Sequence, residues 1–181
     1  VRKELQIPEN ATVLLSVDEL NKNKNHETAL KAFAKINDNS LFYVMCGHGP
    51  LAEHLRKLVH RLKVSDRVLF LGYRSDIVDI MKASDIYIHP SFREGLPVSL
   101  MEAMACGLPC LASKIRGNTD LIKGLGEKYL FDPNDIDAIS KAIKALLADP
   151  ELRKNLAAQN NENINKYSIY TALMALRNIY F

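Results

Sequence analysis

Two carboxylates set close together, Glu94 and Glu102, are the side chains of this sequence best placed to do chemistry. Their segment, His89 to Cys110, reads HPSFREGLPVSLMEAMACGLPC. An ionised carboxylate only accepts hydrogen bonds, so it suits paired hydroxyls rather than phosphate. Pro97 suits the first turn of a helix, and Gly107 suits its C-terminal cap, with Pro109 just beyond. Glu94 therefore falls in a loop and Glu102 about one turn into a helix. The first amides of that helix, around Val98, Ser99 and Leu100, lack intrahelical partners and lie at the positive end of the macrodipole. They suit a phosphate or diphosphate. Gly95 has no Cβ, so a ligand can approach the backbone there and along Leu96 and Pro97. Spacing alone also allows a blander reading, one turn glutamate and one solvated helix glutamate.

The elements that position these residues follow from apolar periodicity. Short runs rich in β-branched and aromatic residues predict strands over 12–17, 41–46, 68–71, 85–88, 110–113 and 129–131. Helical spacing predicts helices over 26–36, from near 52 to 62, over 76–83, 136–147, 150–165 and 168–180. Such alternation predicts an α/β fold: a Rossmann-like parallel sheet with helices on both faces and right-handed crossovers.

Composition narrows the function. A chain of 181 residues with 48% apolar content fits one domain with a substantial core. A net charge of +3 gives no electrostatic case for nucleic acid or an anionic membrane. Cys46, Cys106 and Cys110 have neither metal nor redox spacing, and three cannot all pair; buried free thiols in a reducing cytosol are expected. No clustered histidine and carboxylate ligands suggest a metal site, and the longest apolar runs are strand-sized.

The segment from Phe92 to Pro109 has the form F-x-E-G-x-P-x-S-x-x-E-A-M-A-x-G-x-P. It resembles the signature of glycosyltransferase family 4, and the resemblance extends over nearly the whole chain. It implies the donor-binding half of a GT-B enzyme, which transfers sugar from a nucleotide sugar, usually UDP- or GDP-linked, with retention and without a bound cofactor or metal. Carried over, Glu94 contacts the donor sugar at the catalytic centre, the backbone from Gly95 to Leu100 the diphosphate, and Glu102 the ribose. The opening Val1-Arg2-Lys3-Glu4-Leu5-Gln6-Ile7-Pro8 resembles the way out of an interdomain linker. An acceptor-binding half that would take a sugar or lipid-linked acceptor is thus expected to precede it, and residues 1–181 alone should bind donor without turnover.

Further motifs fit the same family with departures. Its G-R-L-x-x-x-K-G appears here as Asp18-Glu19-Leu20-Asn21-Lys22-Asn23-Lys24-Asn25. Lys24 falls on the family lysine that grips the diphosphate; Glu19 stands at the arginine, where an anion repels a diphosphate, and Asp18 at the glycine. The string is similar to variants among bacterial capsule and exopolysaccharide enzymes. Lys22 reads as solvated. Gly47-His48-Gly49-Pro50-Leu51-Ala52 formally matches a dinucleotide fingerprint, yet no acidic residue ends the following strand, so a nicotinamide-binding domain is the weaker alternative. The resemblance turns Gly47 and Gly49 toward the donor and sets Tyr73 and Arg74 against the base, Arg74 by stacking. The 168–180 helix, with Ile169, Tyr170, Leu173, Leu176 and Tyr180 in a stripe, is expected to cross to the other half or to self-associate. The expected location is cytoplasmic, peripheral at the inner membrane face in the longer protein. A non-catalytic sugar-nucleotide or interaction module is the remaining alternative.

Overall fold

The computed structural model describes residues 1–168 together with 170, 171 and 177. Five parallel strands form one sheet in the order β3-β2-β1-β4-β5: β1 is Thr12–Val17, β2 Leu41–Cys46, β3 Val68–Gly72, β4 Ile86–His89 and β5 Cys110–Ala112. The central strands are buried on both faces, which is why they read as unbroken apolar runs rather than alternating ones. Alternate residues of β1 divide the core. Leu14 packs with α1 (His26–Ala34), α2 (Ala52–Arg61) and α6 (Ile136–Ala148) on one face. Val13 and Leu15 pack with α3 (Ile77–Lys82) and α4 (Val98–Ala105) on the other. After β5 come the one-turn α5 (Asn118–Leu121), then α6, then α7 (Pro150–Asn165), whose Asn160 amide donates to the Leu108 carbonyl.

The chain winds outward from β1 through β2 to β3, then crosses back to lay β4 on the other side of β1. The loops leaving β1 and β4 therefore run in opposite directions, and a crevice opens between them at the strands' carboxyl ends. Two stitches close its floor: Phe92 N–H donates to the Asn23 carbonyl at 2.8 Å, and the Asn23 amide to the Arg93 carbonyl at 2.9 Å.

Element boundaries agree with the sequence reading to within one or two residues, with one correction. The 129–131 strand is not formed. Residues Gly124–Tyr129 make a 3-10 helix, and Phe131 makes an isolated parallel bridge to Ser113. Pro133 explains the stop, since it has no N–H to continue a ladder. The stripe expected of a 168–180 helix falls largely outside the described residues. Among these no helix is long and apolar enough to cross a membrane.

Asn25 ties the crevice together. It has left-handed backbone geometry (φ 53°), which asparagine tolerates better than most residues. Its buried amide donates to the carbonyls of Pro90 at 3.0 Å and Pro133 at 2.7 Å, while its oxygen accepts from Thr28 Oγ1 at 2.7 Å. Replacing it leaves two buried carbonyls unpaired, worth roughly 1–3 kcal/mol each. Asn25→Ala is expected to destabilise the domain by about 3 kcal/mol in urea unfolding, and Asn25→Gly by roughly 1 kcal/mol less, because glycine relieves the positive φ. Equal losses in the two variants would contradict this account.

Candidate functional site at the sheet crevice

The crevice brings together four charged side chains from two loops. Lys24, in the β1–α1 loop, places its ammonium 2.7 Å from Asp18 Oδ1 and 2.7 Å from Glu94 Oε1. His89, the last residue of β4, lies between the same carboxylates: Nδ1 is 3.0 Å from Asp18 Oδ2, and Nε2 is 3.2 Å from Glu94 Oε1. The Nδ1 contact is off line for a hydrogen bond, so its attraction is chiefly coulombic. Ser91 Oγ lies 3.3 Å from Nε2, and Ser99 Oγ, in the first turn of α4, donates to Asp18 Oδ1 at 3.4 Å. The Asp18 and Glu94 side chains are only 4% and 12% exposed, and that of His89 is fully buried.

Burial alone would neutralise these groups; their mutual contacts outweigh it. Burial raises the Asp18 carboxyl, but His89 and Lys24 hold it below the usual range. Glu94 is likewise opposed by burial and drawn down to about 2 by His89, Lys24 and Ser91. His89 and Lys24 are raised, since their carboxylate partners overcome their desolvation. Both donors to Glu94 use Oε1, and among the described residues Oε2 takes no hydrogen bond. Asp18, His89 and Glu94 hold ligand-type atoms within 4.8 Å of one another. Their arrangement is that of an ion-pair cluster rather than a metal cage. The two ring nitrogens face different carboxylates instead of one centre, and the lysine ammonium already bridges those carboxylates.

Beside the cluster, α4 begins at Val98 with no side-chain cap and no acidic residue in its first turn. The amides of Val98, Ser99 and Leu100 thus carry the unpaired positive end of the helix. Gly95 has open space where a Cβ would stand. From behind, Gly117 (φ 78°) lies so close that a Cβ there would come within 2.7 Å of the Gly95 carbonyl, so the loop after β5 braces the Glu94 loop. Leu96 and Val98 are exposed and Pro97 is buried. Glu102 is exposed one turn further along α4.

On the other side of Asp18 lies a mostly apolar cleft of about 310 Å³ lined by Val17, Cys46, Gly47, His48, Tyr73 and Arg74. Burial pushes the Cys46 thiol up to about 12, so it stays a neutral wall. Tyr73 is 78% exposed and stacked at 12° on His48, whose Nε2 accepts the Tyr73 N–H at 3.1 Å. Arg74 is committed edge-on to Asp76 (2.8 and 2.7 Å) and Glu4 (2.9 Å). Gly47 and Gly49 do a different job from the one the fingerprint suggests. A Cβ at Gly47 would overlap the Asp18 carbonyl, and one at Gly49 would crowd the Leu20 backbone. Both glycines hold the β2–α2 loop tight against the β1–α1 loop.

The crevice thus unites Lys24, Glu94 and the Gly95–Leu100 backbone, while Tyr73 and Arg74 line the adjoining cleft. Glu19 is exposed, lines the same cleft and accepts from the Asn21 amide at 2.9 Å, while Asp18 is the anion inside the crevice. The sequence reading missed His89 and the inward role of Asp18. No local feature of the sequence marked either side chain as buried.

In an open α/β sheet the crevice at the carboxyl ends of the strands is where ligands bind, and here it holds an uncapped helix start and two largely buried carboxylates. The chain belongs to the Glycosyl transferases group 1 family, whose model matches residues 1–163. It is 32% identical over 185 aligned residues to the Escherichia coli UDP-Gal:alpha-D-GlcNAc-diphosphoundecaprenol alpha-1,3-galactosyltransferase, covering 98% of this chain and 47% of that protein. It is 30% identical to N-acetyl-alpha-D-glucosaminyl L-malate synthase of Bacillus anthracis, covering 91% of this chain and 43% of the relative. Among solved structures, Anabaena Alr3699/HepE in complex with UDP superposes with a TM-score of 0.90 at 23% identity, covering 98% of this chain and 50% of that one. The fold is therefore the Rossmann-like half seen in GT-B glycosyltransferases. The chain spans about half the length of the curated relatives it matches.

The Glu94 carboxylate gives a stability signature. Its folded value, about 2, lies below its ordinary 4.5, so its stabilisation is complete above 4.5 and is lost as pH falls toward 2. Glu94→Gln is expected to lower unfolding free energy by roughly 1–3 kcal/mol at neutral pH. The gap to wild type should close progressively through that acid window, as followed by chemical denaturation at several pH values. A gap that persists undiminished at the acid end would show that packing, not charge, is what the glutamine disturbs.

Proposed function

We propose that this chain is the nucleotide-sugar donor domain of a retaining glycosyltransferase in bacterial polysaccharide or glycoconjugate biosynthesis. One observation carries this reading: Glu94 is held ionised by Lys24 and His89 with Oε2 unengaged, immediately ahead of the uncapped start of α4. In this role Oε2 accepts from hydroxyls of the transferred sugar, and the backbone from Gly95 through Leu96, Pro97, Val98 and Ser99 to Leu100 receives the diphosphate. Lys24 leaves its carboxylates to meet the same phosphates. Glu102 takes the ribose hydroxyls, and the base enters the cleft between Gly47 and Tyr73, where Arg74 stacks on it. The two glycines serve by letting that loop approach Asp18. The nucleotide sugar, UDP- or GDP-linked, is a substrate, and the reading includes no cofactor or metal; the Lys24 ammonium and the start of α4 are the positive groups that meet its diphosphate.

The acceptor, a sugar or lipid-linked sugar, would be supplied by a second domain outside this chain, in the cytoplasm or at the inner face of the membrane. Transfer needs donor and acceptor held together, so the chain alone binds donor but does not turn over. A binding screen of UDP, GDP and their sugar conjugates tests the reading. Absence of nucleotide affinity would favour a non-catalytic module, and tight NAD binding without UDP binding a nicotinamide domain.

Two substitutions separate the glutamates. Glu102→Gln is expected to weaken UDP and UDP-glucose alike, and Glu94→Gln to weaken only the conjugate. Each loss should be about tenfold, the low end for a hydrogen bond to a charged group. Calorimetry on both variants with both ligands reads the pattern. An equal effect of Glu94→Gln on nucleotide and conjugate would reverse the assigned roles.

A further inference from the structure

We propose that His89 is a positioning residue that works as an imidazolium, clamped between Asp18 and Glu94 so that Glu94 keeps its charge and presents Oε2 to the donor sugar. The inference rests on the donor-domain reading and deepens it.

Geometry demands the charge. A neutral imidazole carries one N–H, so one ring nitrogen would turn a lone pair toward a carboxylate. Here both nitrogens face carboxylates, Asp18 at 3.0 Å and Glu94 at 3.2 Å. The doubly protonated ring meets both, through a hydrogen bond to Glu94 and coulombic attraction to Asp18. Charge balance agrees: Asp18 and Glu94 against Lys24 leave one negative charge in a nearly dry crevice, and the imidazolium cancels it. The groups facing the ring are Asp18 and Lys24 from the β1–α1 loop, His26 from α1, and Glu94 and Ser91 from its own loop, with Tyr87 stacked at 6.3 Å. His26 does not compete for the proton, because burial pushes it down to about 4.

A diphosphate would compete with Glu94 Oε1 for the Lys24 ammonium. When the donor draws the ammonium away, His89 is the cation that stays on that oxygen. Asp18 makes this possible. In the family motif its position is a glycine, which has no side chain to hold a ring.

The raised titration of His89 fixes the sign. The ring is charged below its raised folded value and loses its proton above it, so the sugar's contribution to binding should fall as pH rises through that value.

Two measurements on the intact chain test this. Nitrogen NMR of the ring at about pH 7 should give the two equivalent, protonated nitrogens of an imidazolium. Calorimetry with UDP and with UDP-glucose, from about pH 6 to pH 9, should show the conjugate's advantage over UDP falling roughly tenfold on the alkaline side. Asp18→Asn should move that fall to lower pH, and His89→Gln, which keeps one neutral donor, should flatten it. A neutral ring at pH 7, or the same profile in wild type and Asp18→Asn, would overturn the proposal, and neither depends on whether His89→Gln folds. Failure to bind UDP at all would remove the donor-domain reading and the positioning role with it, while the ring spectrum still reports the charge.

Discussion

A single ammonium holds the working end of this domain together. Lys24 lies 2.7 Å from Asp18, which follows β1, and 2.7 Å from Glu94, which follows β4. Those two strands are neighbours in space but far apart in sequence, and their loops diverge at the crevice. Backbone hydrogen bonds alone would leave two carboxylates facing each other across a low-dielectric gap. A cation between them converts that repulsion into the bond that joins the loops.

The same cluster explains why neighbouring residues are so constrained. Asn25 must adopt a left-handed backbone for Lys24 to turn inward before α1 begins. Gly47 must lack a side chain for the next loop to approach Asp18, and Gly117 must lack one for the loop after β5 to brace Glu94. They allow three loops to converge within a few ångströms without a steric clash.

A buried, balanced quartet of charges is also a device for holding polar groups in readiness. Its members are already desolvated and oriented, so a ligand that exchanges one ion pair for another meets little reorganisation. On the proposed function, a diphosphate at the start of α4 competes with two carboxylates for Lys24. The Escherichia coli relative, 47% of which this chain covers, is a galactosyltransferase by name.

The order of strands and helices was legible in the sequence because each parallel strand is buried on both faces and must be a short apolar run, while each helix carries a single apolar stripe. Gly95, Pro97 and the second glutamate announced a loop and a helix start at residues 92–102, since those types restrict local backbone choice wherever they occur. The 129–131 run misled because one apolar triplet cannot say whether a partner edge will extend beyond a single bridge. Asp18 and His89 were opaque for a related reason. Nothing local in their sequence marks a charge as buried; a strand-end histidine and a loop aspartate look alike whether solvated or enclosed. Local stereochemistry is written in neighbouring residues, so the sequence determined the elements and the candidate loop. Electrostatic partnership depends on distance through space, so only the crossover that lays β4 beside β1 decided that Asp18, Lys24, His89 and Glu94 form one unit.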